Sequence, residues 1–175
     1  MPDNPDNLVT RTGTIRGANL DSLHQWLKEH RSKLQPTVSK FAVGRKELWI
    51  RRYCDLRRNP TIKEGYRNDR IEALGERVLP GFHIGLVLLY APGTCIKLHR
   101  DHGVFQPITV GVNLGRGVFC VANHNMNTHD TQVNRLELED GDVIQFNNKI
   151  PHATEPSEQE RWSIIFWHLK DKYLT

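Results

Sequence analysis

The chain has 175 residues, 38% of them hydrophobic and 25% charged, which is enough for one domain with its own core and too apolar for a disordered segment. Its three cysteines, Cys54, Cys95 and Cys120, form no C-x-x-C pair, which argues against a zinc knuckle or a disulfide framework. No apolar run is long enough to span a membrane, and residues 1–7 lack the basic-then-apolar order of a signal peptide, so the default expectation is an intracellular, cytoplasmic protein with no membrane partner.

Residues 1–18 read as a loose or edge segment. Leu20, Leu23 and Leu27 then recur at helical spacing, which predicts an amphipathic helix over 21–31 with Asn19 or Asp21 able to cap it. Asp69 and Glu72, with Ile71, Leu74 and Val78 at helical spacing, predict a second helix that ends before Pro80. The stretch between the two helices is Arg-rich, contains Trp49 and Tyr53, and reads as irregular.

From Phe82 onward the pattern changes to short β runs at 82–90, 94–99, 107–114, 117–122, 133–138, 142–147 and 161–169. Turn signals at Pro92–Gly93, Gly115–Gly117 and Asp140–Asp142 separate them. Helices first and strands after predict an α+β fold in a single domain, 1–175. Its core over 82–170 is a double-stranded β-helix, or jelly roll, and 1–81 form a helical, basic support region.

Net charge is +4 and unevenly spread: residues 45–70 hold nine basic and four acidic side chains. Such a cluster attracts phosphates, and it equally describes a solvated surface whose Arg stems cover apolar area.

Side chains alternate faces along a strand, so if 94–101 is extended, Cys95, Lys97, His99 and Asp101 share one face. His-x-Asp therefore sets an imidazole and a carboxylate side by side, as two ligands of one metal ion require. His152, following the apolar run 142–146, is the candidate third ligand. Two His and one carboxylate with open positions opposite form the facial donor set of non-heme iron(II) oxygenases. Nine residues on, Arg161, Ser163 and Trp167 share a face of another strand, where an Arg fork and a hydroxyl suit the far carboxylate of a keto-diacid. Each piece alone occurs by chance in many chains; the ordered set is far more specific.

The stretch Tyr90-Ala-Pro-Gly-x-x-Ile-x-x-His-x-Asp101 resembles the AlkB-like branch of the iron(II)/2-oxoglutarate dioxygenases. So do residues 107–115, residues 136–143 and the strand opened by Arg161. The resemblance covers about 82–170. It implies that His99, Asp101 and His152 bind Fe(II), that Arg161 holds the distal carboxylate of 2-oxoglutarate, and that Ser163 and Tyr90 help bind this cosubstrate. It also implies O2 as co-oxidant, with succinate and carbon dioxide formed as a substrate C–H bond is oxidised. Trp167 stands where the AlkB-like pattern has a second Arg, and the short gap from His152 to Arg161, with Arg-x-Ser, looks more like prolyl hydroxylases.

Three readings of the substrate stay open. A nucleic-acid base, demethylated or hydroxylated, would be gripped through Arg51, Arg52, Arg57 and Arg58 and stacked on Trp49, Tyr53 or Tyr66. A protein side chain or small metabolite fits the Arg-x-Ser motif, and the third reading is a cupin-like metal-binding module without turnover. His102, His124 and His129 add imidazoles nearby, and the loop 123–130 is placed to cover the rim or to be a plain surface loop. Asn113 could orient a ligand or satisfy backbone groups; Cys95, His83 and His168 read as structural.

Overall fold

The computed structural model describes residues 8–56, 59–122 and 133–174. In chain order the elements are β1 (Val9–Thr14), α1 (Gly17–His30), β2 (Gln35–Pro36), β3 (Arg45–Ile50), β4 (Arg52–Asp55), β5 (Thr61–Glu64), α2 (Asp69–Val78), β6 (Ile84–Tyr90), β7 (Phe105–Leu114), β8 (Gly117–Ala122), β9 (Val133–Leu138), β10 (Asp142–Asn147), β11 (His152–Thr154) and β12 (Arg161–Leu169). Seven strands form a major sheet in the order β1-β10-β7-β12-β6-β3-β2. Three form a minor sheet, β11-β8-β9, and β4 and β5 form a separate hairpin. The pairings are antiparallel, and the fold is the expected jelly roll with two supporting helices.

The centre of the major sheet, β6 and β12, is buried on both faces, which explains the continuous apolar runs of these strands. On β6, Val87 and Leu89 pack against the helices, with Leu23, Trp26 and Leu27 of α1 and Ile71 and Leu74 of α2 in the same cluster. The alternate residues Leu86, Leu88 and Tyr90 face the interior between the sheets. β12 repeats the division: Ile164 and Phe166 join the helical layer, while Arg161, Ser163, Ile165 and Trp167 line the interior. A third cluster, built around Phe119, Val121, Leu138, Ile144 and Phe146, fixes the minor sheet to the closing edge of the roll.

The helices lie where the apolar spacing places them, with different caps. α1 begins at Gly17 rather than 21, and neither Asn19 nor Asp21 caps it; its N-cap is Arg16, without a side-chain bond. α2 is capped by Asn68, whose Oδ1 accepts from the Ile71 N–H at 3.3 Å, while Glu72 reaches back to the Asn68 N–H at 3.2 Å.

Two expectations need correction. The stretch between the helices is not irregular: it carries β3 and the β4–β5 hairpin. Arg45, Glu47 and Trp49 alternate along β3 and line the interior, so the strand's inward face is polar and hides the usual signal. Conversely, 94–99 forms no strand; it touches its neighbours through single bridges, Ala42 to Ile96 and His99 to His152.

Arg51 and Arg52 are committed within the fold. Arg51, at φ +67°, pairs with Glu72 at 3.2 Å and Glu76 at 2.9 Å and also donates to the Phe82 carbonyl. Arg52 donates to the His83 carbonyl at 3.0 Å. Arg57 and Arg58 lie outside the described residues.

Two predictions follow from this layer. Hydrogen bonds from Arg67 hold the Glu72 carboxyl below its ordinary range against the upward push of its burial, with Arg51 and the Asn68 N–H adding to the pull. Because the folded value is depressed, Glu72's stabilisation is present above its unfolded pKa of 4.5 and is lost as pH falls through the lower folded value. Glu72→Gln is expected to cost about 1–3 kcal/mol in urea at pH 7 and progressively less on acidification; an equal cost at every pH would refute it. Gly75 lets α2 rest on the Phe82–Phe166 pair, since a Cβ there would meet Phe82 and come within 2.7 Å of Phe166. Gly75→Ala is expected to lower stability by about 1–3 kcal/mol despite alanine's better helix propensity, read from the same denaturation curves.

Candidate metal and anion site

One cavity of about 1100 Å³ opens between the two sheets, and all six residues singled out from the sequence, Tyr90, His99, Asp101, His152, Arg161 and Ser163, line it. They divide into two groups.

The first group converges on a point. His99 and His152 face each other across an antiparallel bridge in which each N–H donates to the other's carbonyl, at 3.0 and 2.9 Å. Directly opposed residues of an antiparallel pair project side chains to the same side, so one bridge delivers two imidazoles together. Asp101 follows two residues on, its N–H donating to the Asn148 carbonyl at 3.0 Å. Its Oδ1 lies 3.4 Å from His99 Nε2 and 3.3 Å from His152 Nε2, and the three ligand atoms sit within 4.8 Å of one another.

The orientation of these groups is fixed from behind. His99 Nδ1 lies 2.8 Å from the Lys97 carbonyl, and His152 Nδ1 lies 2.9 Å from the Ile150 carbonyl. A carbonyl only accepts, so each Nδ1 carries a hydrogen, and Nε2 is the ring atom turned to the convergence point. The second oxygen of Asp101 accepts from Trp167 Nε1 at 2.9 Å, which turns Oδ1 toward the imidazoles. Burial pushes the Asp101 carboxyl up, yet the hydrogen bonds and charges of His152 and His99 outweigh it, and the net displacement is well below the ordinary range. Two Nε2 atoms and one carboxylate oxygen, each on a group with an outer partner, fit a divalent first-row metal with open positions on its far side.

The second group gathers buried cationic and hydroxyl side chains at the other end of the cavity. Arg161, Tyr90 and Arg45 stand opposite one another across β12, β6 and β3. Arg161 is 3% exposed, lies over the Tyr90 ring at 4.4 Å, and donates to Asn113 Oδ1 at 2.9 Å. No carboxylate among the described residues pairs with it. Burial lowers its pKa first of all; Tyr90 opposes this and the charge of Arg45 adds to it. A buried charge lacking a partner costs several kcal/mol, so this end of the cavity is built to receive an anion. Ser163 sits opposite Asn113 on the next strand. Gly117 leaves the room that Arg161 needs, since a Cβ there would come within 2.6 Å of Arg161 Cδ.

Sequence reasoning leaves three contributors partly or wholly out of view. Asn113 satisfies backbone groups, as one of its two readings has it, its Nδ2 donating to the Gly115 and Glu139 carbonyls, and its Oδ1 also accepts from Arg161, a contact the sequence does not show. Trp167 shares the face of Arg161 by alternation, but nothing local shows that its indole reaches Asp101. Arg45, 8% exposed, reads from sequence only as one charge in a basic run. Elsewhere, His102 and Arg100 line the cavity, Cys95 does not, and Arg100 Nε donates to the Lys149 carbonyl at 3.0 Å. His83 accepts from the Leu169 N–H, and His168 contacts the Pro80 carbonyl. The loop 123–130, with His124 and His129, lies outside the described residues.

No family model and no curated protein matches the chain. Solved structures do. OsALKBH1 aligns with TM-score 0.69 and 13% identity over 91% of this chain and 95% of that one. A prolyl-4-hydroxylase from Pseudomonas putida aligns with TM-score 0.63 and 15% identity over 93% of each chain. HygX from Streptomyces hygroscopicus, solved with nickel and 2-oxoglutarate bound, aligns with TM-score 0.64 and 14% identity over 94% of this chain and 83% of that one. At these identities the likeness is one of fold: the chain has the jelly roll of 2-oxoglutarate oxygenase structures.

If the Trp167 indole orients Asp101 as a ligand, Trp167→Phe should weaken Ni(II) binding by about 10–100-fold in isothermal titration, the range expected for an outer partner. Ser163→Ala should leave Ni(II) affinity unchanged. Equal affinities for the wild type and Trp167→Phe would refute the role.

Proposed function

We propose that the protein is an Fe(II)- and 2-oxoglutarate-dependent dioxygenase that oxidises a substrate C–H bond. The observation that carries this reading is the pairing, in one cavity, of a three-ligand point with a buried, unpaired guanidinium at its inner end. His99, Asp101 and His152 would hold the metal through Nε2, Oδ1 and Nε2. Arg161, with Ser163 and Tyr90, would hold the distal carboxylate of 2-oxoglutarate in a bidentate fork. Iron(II) with 2-oxoglutarate and O2 supplies the oxidation: the keto acid yields succinate and carbon dioxide, and oxygen is delivered to the substrate. The chain's own residues bind and orient, and the apolar walls keep bulk water from the reacting groups.

The substrate we propose is a nucleic-acid base, demethylated or hydroxylated. Support comes from the cavity wall, where Trp49, Tyr53 and Trp167 form one aromatic group, Phe41 packs on His99, and Tyr66 lines the cavity from the helical side. Trp49 lies face to face with Trp167 at 6.4 Å and edge-on to Tyr53 at 5.7 Å. Such a wall accepts a planar ring by stacking, whatever its hydrogen-bonding edge. A second reading, a peptide side chain or small metabolite, is favoured by the engagement of Arg51 and Arg52 within the fold, which removes two cations from a phosphate-binding surface.

The test is succinate formation by the Fe(II)-loaded protein, with and without methylated single-stranded oligonucleotides, beside His99→Ala and Arg161→Ala. Turnover stimulated by oligonucleotide and absent from both variants is the expected result, and the stimulated rate should fall steeply with salt. Turnover indifferent to nucleic acid would keep the chemistry and shift the substrate to peptides and metabolites. No decarboxylation under any condition would leave a metal-binding module without turnover.

A further inference from the structure

Arg45 is the buried cation that the site as described does not use. It opens β3 directly opposite Tyr90, with Arg161 opposite Tyr90 on the other side. Its guanidinium lies 5.6 Å from the Tyr90 ring centre, and NH1 donates to the Tyr90 hydroxyl at 3.2 Å. Nε donates to Thr37 Oγ1 at 3.2 Å, and that hydroxyl donates onward to Glu47 Oε2 at 2.9 Å. NH2 has only the edge of Glu47 near it, at 4.0 Å. Two guanidiniums and one tyrosine hydroxyl thus meet at the inner end of the cavity, with one carboxylate at the far limit of an ion pair. The Tyr90 oxygen accepts from Arg45, so its own hydrogen remains to be donated. Arg161 has no carboxylate partner among the described residues, and Arg45 has only the distant Glu47, so the two buried guanidiniums share one weak counter-charge at this end of the cavity.

We propose that Arg45 is a specificity residue for the cosubstrate: it binds the distal carboxylate of 2-oxoglutarate together with Arg161, from the opposite side of Tyr90. This rests on the 2-oxoglutarate reading above and adds to it a contact from the N-terminal part of the chain. Arg161 and Arg45 repel each other across the Tyr90 ring, and a carboxylate at the Tyr90 hydroxyl relieves that repulsion, giving Arg161 its missing counter-charge and Arg45 a closer one than Glu47. Thr37 and Glu47 hold Arg45 in place from behind. A monocarboxylic keto acid leaves the same repulsion unrelieved, so the arrangement selects for the diacid.

The experiment compares two ligands on one protein. Ni(II)-loaded full-length chain is titrated with 2-oxoglutarate and with 2-oxobutyrate, which keeps the chelating keto acid and lacks the distal carboxylate. The readout is the ratio of the two dissociation constants, which does not depend on the fraction of active protein. Loss of one charged hydrogen-bonding contact should narrow this ratio about tenfold in Arg45→Gln, with Ni(II) affinity unchanged. If Arg45→Gln does not fold, Arg45→Lys, which keeps the charge without the fork, should narrow the ratio less but in the same direction. Tyr90→Phe and the double variant complete a cycle: Arg45→Gln should still narrow the ratio in the Tyr90→Phe background. An unchanged ratio in folded Arg45 variants, or no further loss in the double variant, would overturn the proposal and leave Arg45 as a support for Tyr90. A wild-type protein that binds Ni(II) but neither keto acid would overturn the cosubstrate reading itself, and Arg45's role with it.

Discussion

Two reciprocal backbone hydrogen bonds, His99 to His152 and back, join the segment after β6 to the first residue of β11. The rest of the site is arranged around that junction. It is a single bridge rather than a ladder, so its geometry is held from outside: by the Pro92–Gly93 turn on one side and by the pairing of β11 with β8 on the other. Asp101 comes into place because its own backbone is pinned to Asn148 immediately beyond the bridge. Residues distant in sequence therefore become ligands of one point through main-chain geometry before any side-chain chemistry is considered.

Electrostatics then gives the cavity a direction. At one end Asp101, beside two imidazoles whose hydrogen bonds and charges outweigh its burial, is held well below its normal range, and the inner end carries two guanidiniums around Tyr90. A ligand with one end suited to a metal and the other anionic has only one way to lie in such a space. The connection between the two ends runs along β3 and β12: Arg45 through Thr37 to Glu47, Glu47 to the Trp49 indole at 3.2 Å, Trp49 against Trp167, and Trp167 to Asp101. The support region is thus part of the wall that orients whatever occupies the cavity.

The strands within 82–170 were legible because they are apolar on both faces or clearly alternating, as in β6, β8, β10 and β12, and α2 was legible from its spacing. β3 was not, because its inward face carries Arg45, Glu47 and Trp49 in place of aliphatic residues. The alternation at 94–99 reads as a strand, yet the chain there finds a partner only at isolated points. His99, Asp101, His152, Arg161 and Ser163 could be picked out by type and order. The partners of Asn113, Trp167 and Arg45 could not, since each bonds to a residue from a different segment, and such pairings have no local signature.

The tethering of the imidazoles has a consequence for how the site tolerates change. Metal-binding histidines often lean on a carboxylate side chain, which a single substitution removes. Here both lean on main-chain carbonyls, those of Lys97 and Ile150, two residues before each ring. No substitution at 97 or 150 deletes a carbonyl oxygen. The side chains at those positions are therefore free to vary for reasons of surface or packing while ring orientation and tautomer persist. The exposed position is Trp167: it alone supplies the outer contact of Asp101 from a side chain, and so the mutational sensitivity of the ligand set is concentrated in one indole.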